Sequence, residues 1–519
     1  MLGRRDPQRR LFGAPSLLGS AVSHKLGFYG KLASQGHTFF DDEDFEGVYC
    51  ANNGRPSCPP SMLAMARLLQ HYDGVSDAET VERCKYDLRW KTALDLELAS
   101  IDAPFAKSTF QAFRVRLTLH RSEGLVFERS VRAAREAGLL PKRLQVALDS
   151  SPVRGRGAVK DTFNLLSDAI VAVVRAVACK RGTTAEEVAG KTRLERHVGS
   201  QSIKGSEVVD WEDQQAVGEF LDGLLEDCEQ AVTVAEEAGC AGEEVALLRK
   251  VIEQDVESGT SDGPASIKQG VARERTVSVQ DPDMRHGRKS SGKVYSGHKA
   301  HIAVEVSSGV VTAVDMTAPS GADGAQVKAL LDKTRQTTER PVDLALGDSA
   351  YSSRTALAEA AEAEVELVSK MPSPPKGRHG PGAFQVSEDG TAACCPAGIS
   401  SFRVKRRGDG HLHEWSADSC AGCALRDACT KASARMLLVP PDFHERRRRE
   451  RHASSEAGRA LLRRRVAVEH AIGRVKNLGA GAARCFGRSK THAQWLWTAA
   501  VANLSLVWGK EMLALSQTG

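Results

Sequence analysis

The hydrophobic period of the chain changes at Leu144, and this change constrains the fold more than any other feature. Before it, apolar residues recur at three- and four-residue steps, as on helices. Then comes "LQVALDSS", a short apolar run bounded by Pro141 and Pro152, the pattern of a buried strand. "KAHIAVEVSSGVVTAVDMT" reads as two strands joined as a hairpin at Ser307–Gly309. "PVDLALGDSAYSS" is a strand ending at Asp348, and "VELV" a shorter one. "DGAQVKALLDKTRQ" and "SRTALAEAAEA" read as helices between them, and the apolar "AQWLWTAAVANLSLVWGKEMLAL" as a core helix closing the pattern. Without two insertions, three strands lead into alternating helices and strands. This predicts an α/β fold with a mixed sheet flanked by helices.

Residues 1–37 read as a poorly ordered lead-in, 38–137 as a helical N-terminal domain and 140–515 as the sheet domain. The insertions are a helical, acidic one at about 160–290 and a cysteine-containing one at about 371–450. Pro59 and Pro60 suit a helix start, and Met62, Met65, Leu68 and Leu69 follow a helical period. "YDGVSD" breaks that helix; Ser76 can cap the next, with Glu79 completing a capping box. Two helices around a glycine turn fit a DNA-binding helix–turn–helix, although any small bundle reads alike. Further helices are expected at Ser108–Leu119 and Glu123–Ala137, and "SGTSDGPAS" as a loop.

The net charge of +5 hides an uneven distribution. Ser206–Ser258 holds 16 Asp/Glu against two Lys/Arg, whereas Arg446–Lys490 holds 14 Lys/Arg against three Glu. The second segment has the footprint that nucleic acid attracts. No run of 18 apolar residues spans a membrane, and the basic start lacks the apolar stretch of a secretory signal. The 12 cysteines are mostly without regular spacing, so a reducing, cytoplasmic compartment is expected. There is no Walker A pattern and no GxGxxG, which argues against ATP and dinucleotide binding.

Asp149 and Asp348 each end a strand among small neighbours, "LDSS" and "GDSAY", where sheet proteins build their sites. An Asp in such a place also commonly caps a turn. Glu469 is the only acid in "RRRVAVEHAIGRVKNLGAGAARCFGRSK", and Arg465, Glu469, Ile472 and Lys476 share one helix face. Three carboxylates brought together repel unless cations neutralise them. Oxygen ligands of this kind suit Mg²⁺ or Mn²⁺, and a pair of such ions can activate a nucleophile and stabilise a leaving oxygen at a phosphodiester. Arg465 and Lys476 would then hold the neighbouring phosphates.

"GRPSCPPSMLAMARLLQHYDGVSDAETVERCKYDLRWKTALDL", "VALDSSPVRGRG", "YSGHKAHIAVEVSSGVVTAVDMTAPSGADG", "LALGDSAYSS" and "RRRVAVEHAIGRVK" together resemble bacterial DDE transposases of the IS4/IS5 group, most closely the IS1182 family. The resemblance spans roughly residues 38–510. Leu462 stands where the family's Glu motif has a tyrosine. The resemblance implies an RNase H-like fold and an N-terminal DNA-binding domain. It implies a catalytic triad Asp149, Asp348 and Glu469 holding Mg²⁺ or Mn²⁺ as two ions. It also implies double-stranded DNA partners, namely inverted-repeat ends and target, bound by a homodimer. Water would cleave first, and a 3′-hydroxyl would then attack the target. A different reading is a DNA-binding protein descended from a transposase that no longer cuts. Asp323 and Tyr351 also fall in motif segments, and Asp323 is expected to cap the helix it opens.

In the second insertion Cys420, Cys423 and Cys429 form C-x2-C-x5-C. Cys394 or Cys395 could supply a fourth thiolate to a structural Zn²⁺ site, with His411 and His413 as other ligands. Reduced cysteines in a loop-rich segment are the plain alternative.

Overall fold

A computed structural model describes residues 1–6, 13–17, 25–51, 53–199, 201–259, 263–272, 274–290, 292–372 and 374–517. Among the described residues, the helices that lead up to the sheet include α1 Phe28–Phe39, α2 Pro60–Asp73, α3 Asp77–Tyr86, α4 Leu88–Leu94, α5 Lys107–Leu119 and α6 Leu125–Glu136. The expected lead-in is corrected by α1. Its Phe28, Tyr29 and Leu32 are buried, and the Phe28 ring stacks on Tyr72 with centroids 4.2 Å apart. An apolar helix face gains more by burial than a loose segment keeps in entropy. Other parts of that lead-in, 7–12 and 18–24, lie outside the described residues.

α2 starts on Pro60 and ends at Gly74, whose φ of 71° is the left-handed stop that glycine adopts readily. Ser76 then caps α3, its Oγ accepting the Glu79 N–H at 3.1 Å, while the Glu79 carboxylate takes Arg83. Ser76→Ala should cost about 1 kcal/mol, read as a lower urea midpoint at unchanged slope. α2 is buried from Pro60 through His71, and Arg83 and Lys85 of α3 are paired with acids.

One mixed sheet follows. Its strands are β1 Leu144–Arg154, β2 Arg285–Ser290, β3 Lys293–Glu305, β4 Val311–Thr317, β5 Val342–Gly347 and β6 Glu366–Ser369. β3 runs antiparallel to β1 and β4 antiparallel to β3; β5 is parallel to β1 and β6 to β5. The order is therefore β4, β3, β1, β5, β6, with β2 pairing the first half of β3. β1 continues through Pro152, past the expected run. The Arg154 N–H donates to Gly481 O, so the Pro152 nitrogen, two residues earlier, faces that same edge. There β5 has already stopped opposite Ala147, and no ladder bond is lost.

Four more helices flank the sheet: α10 Val327–Thr338, α11 Arg354–Glu362, α13 Val466–Val475 and α14 Arg488–Gln517. α10 and α14 pack on β4, α11 packs on α10 and β6, and α13 packs on β1 and β3. A single hydrophobic core joins the N-terminal helices, the sheet and α14. Where β4 begins, Asn503 of α14 takes the place of a strand. Its Oδ1 accepts the Val311 N–H at 2.8 Å and its Nδ2 donates to Val311 O at 2.9 Å.

Each insertion has its own core. α7 Thr162–Arg181, α8 Gln214–Ala238 and α9 Gly242–Asp255 bury a row of Leu, Val and Ala residues. α7 is long and apolar enough to cross a membrane, and 67% of that stretch is buried inside the bundle. β2 falls at the end of the acidic insertion yet belongs to the main sheet. Of the expected loop "SGTSDGPAS", residues 260–262 lie outside the described residues. In the second insertion β7 Arg403–Arg407, β8 Gly410–Glu414 and β9 Met436–Val439 form a small antiparallel sheet. α12 Phe443–Ser454 follows it.

Candidate active site

Asp149 lies two residues past Ala147, the last β1 residue paired with β5, and Asp348 two past its partner Leu346. Neighbouring strands are about 4.8 Å apart, so the two acids sit side by side where β5 ends, Asp149 still within β1 and paired with Ile302 of β3. Asp149 accepts the Ser150 N–H at 2.7 Å. Asp348 caps the short turn after β5, accepting the Ala350 N–H at 2.9 Å.

α13 brings the third acid. Val468, Ala471 and Val475 are buried on one face, which leaves Glu469 exposed beside the sheet edge. Arg465, just before α13, ties the set together: its guanidinium meets Asp149 at 2.9 Å and also bonds the Glu469 carboxylate. Burial pushes the Asp149 carboxyl above its ordinary range; the Ser150 N–H and Arg465 pull it down, and the Asp348 charge pushes it up. The structure thus brings Asp149, Glu469 and Arg465 into contact and sets Asp348 within electrostatic reach. Arg465 was expected on DNA phosphates; here it bridges two carboxylates. Among the described residues no group of three or more His, Cys, Asp or Glu is placed to hold a metal ion. The donor chemistry nonetheless fits a hard cation, because clustered carboxylates with one in the dry half of the site call for positive charge.

Lys476 follows α13 and faces the same patch. Burial lowers its pKa, Lys289 of β2 lowers it further, and Asp149 draws it back up. Lys289 had no signal in the sequence, because "RHGRKS" is too polar to read as a strand. Tyr351 lies beneath the acids, fully buried, and among the described residues its hydroxyl has no partner. Burial, then the charges of Asp323, Asp149 and Asp348, hold its pKa well above the ordinary value. Gly347 makes room for it: a Cβ there would sit 2.5 Å from the Tyr351 Cβ. Gly347→Ala should therefore cost about 1–3 kcal/mol by overpacking and displace Asp348, read as a lower melting midpoint.

Asp323 does not cap the helix it opens. Ala322 holds that position, and the Asp323 carboxylate receives Lys299 at 3.2 Å, with His301 Nδ1 at 3.8 Å. Burial pushes His301 down to about 4, and Asp323 opposes it. A buried charge is satisfied sooner by a lysine than by backbone N–H groups that water can reach.

A Ser167–His197–Asp227 chain in the acidic insertion has distances of 2.9 and 2.7 Å. Ser167 is buried within α7 and Arg196 shares Asp227, so it ties the bundle together and presents no nucleophile. Of the alternative zinc ligands, His413 is excluded: Nδ1 bonds Ser401 Oγ and Nε2 bonds Gly390 O.

Residues 271–504 match a family model described as Transposase DDE domain, and residues 27–116 match one described as Transposase domain (DUF772). The pair indicates a DDE-type transposase. Asp348 and Glu469 fall inside the first match, and Asp149 outside both. No curated protein matches the chain, and no solved structure matches it.

Proposed function

We propose, from the two transposase domains that this chain carries, that it cleaves and rejoins DNA at inverted-repeat ends with Asp149, Asp348 and Glu469 as its metal-holding acids. It would be of the IS4/IS5 group, closest to IS1182, with an RNase H-like catalytic domain; the strand order β4, β3, β1, β5, β6 supports that fold. The observation that carries the reading is a convergence of acids. Two adjacent parallel strands each bring one, α13 brings a third, and a single arginine joins Asp149 to Glu469.

Two Mg²⁺ or Mn²⁺ ions would supply Lewis acidity for activating water or a 3′-hydroxyl and for stabilising the leaving oxygen. β1 and β5 fix Asp149 and Asp348, while exposed Glu469 can adjust. When these carboxylates are neutralised, Arg465 is released to a DNA phosphate. Lys476 and Lys289 lie on the same side to hold the backbone. The protein would act in the cytoplasm on double-stranded DNA as a homodimer pairing two ends.

The test is incubation with DNA carrying the inverted-repeat ends that flank the gene, in Mg²⁺ and in EDTA. Metal-dependent nicking at those ends is expected. Specific end binding without cutting in either Mg²⁺ or Mn²⁺ would overturn the proposal in favour of a non-cutting DNA-binding protein.

A further inference from the structure

We propose that the second insertion contains a structural zinc site formed by Cys395, Cys420, Cys423 and Cys429. Three segments of this insertion deliver these thiols to one place. Cys395 opens a tight turn in which the Gly398 N–H donates to Cys395 O at 2.9 Å. Cys420 and Cys423 flank Gly422, the end of a single helical turn, and Cys429 ends another. All four line a single cavity of about 20 Å³, the size of one small ion or water. Cys394, by contrast, pairs with Gln385 in a two-stranded ladder and does not line it.

The surroundings favour a charged metal centre over four neutral thiols. Arg426 and Arg435 line the same cavity. A zinc ion with four thiolates carries two net negative charges, and two guanidiniums balance them. Among the described residues the buried Arg435 Nε has no hydrogen-bond partner, the orphan donor that a metal-bound thiolate would satisfy. Among the described residues no group of three His, Cys, Asp or Glu is placed to hold a metal ion as the side chains stand, and a Cys side chain reorients by rotation about a single bond.

The insertion also needs such a tie. Its core has six buried apolar residues, including Trp415 and Phe443, with Cys395, Cys420 and Cys429 packed against them. A core that small rarely holds its fold without a staple. Phe443 is the first residue of α12, so the metal would also fix the start of this arginine-rich helix.

The experiment is metal counting by plasma mass spectrometry on the full chain, purified under reducing conditions. One zinc per chain is expected, and cobalt exchanged into it should show the charge-transfer absorption of a four-sulfur tetrahedral site. Zinc should persist in the Asp149→Asn, Glu469→Gln double variant and in Cys50→Ser, and be lost from Cys420→Ser, Cys423→Ser. Failure of that cysteine variant to fold leaves the wild-type zinc count and cobalt spectrum to decide. Absence of zinc after reconstitution, iron with labile sulfide, or zinc lost from the carboxylate variant would each overturn the proposal. None of these readouts depends on DNA cleavage, so the zinc site and the cleavage reading fail separately.

Discussion

On the proposed function, Asp149→Asn and Glu469→Gln should each abolish DNA cleavage, by on the order of 10³-fold or more, and leave end binding in place. That magnitude follows from removing one charge that faces the reacting phosphate. Glu469 is exposed, with 54% of its side chain reached by solvent, so its loss has little effect on the fold. The Asp149→Asn side chain keeps an oxygen for the Ser150 N–H, and the strand stays seated. What disappears in either variant is negative charge at the sheet edge. Arg465, with one partner fewer, should turn toward the phosphates, and DNA affinity should hold or rise. Melting curves, binding curves and single-turnover cleavage on one preparation check the point. A cleavage rate within about tenfold of wild type in either variant would remove these residues from the metal site.

Asn503→Leu should cost roughly 2–5 kcal/mol of stability, since an unsatisfied buried backbone group costs about 1–3 kcal/mol and two are orphaned. Leucine matches the shape of asparagine but serves neither the N–H nor the C=O of Val311, both now buried. Ser505→Ala, two residues away on an exposed position where Oγ bonds only Val501 O, is the control and should change little. Urea unfolding of the three proteins measures the difference, and a shift under about 1 kcal/mol would mean that Val311 finds another partner.

The parts legible in the sequence are those where one local rule suffices. Ser76 reads as a cap, and its hydroxyl does cap. The hairpin at Ser307–Gly309, the strands leading to Asp149 and Asp348 and the apolar closing helix all follow from hydrophobic period. The misreadings arise where a distant partner decides. α1 is helical because Tyr72 and Trp508 cover Phe28. β2 is a strand because β3 offers it a ladder, and its own side chains give no hint. Asp323 leaves its helix start for Lys299, 24 residues earlier in the chain. The candidate site was legible as three acids and two bases. The ion pairs of Arg465, the tyrosine below and Lys289 beside Lys476 were not, because they depend on how α13 and β2 are laid against the sheet.

The shared core has a consequence for how the protein is made. The ring of Trp508 meets Phe28 with centroids 4.7 Å apart, and its indole N–H donates to Gln35 at 2.7 Å. A ribosome completes the first partner hundreds of codons before the second. The acidic bundle, with a core of its own, can form while synthesis continues, but α1 and α2 must wait with apolar faces uncovered. A product stopped short of α14 would display those faces to chaperones and proteases, so prematurely ended chains should be cleared soon after release.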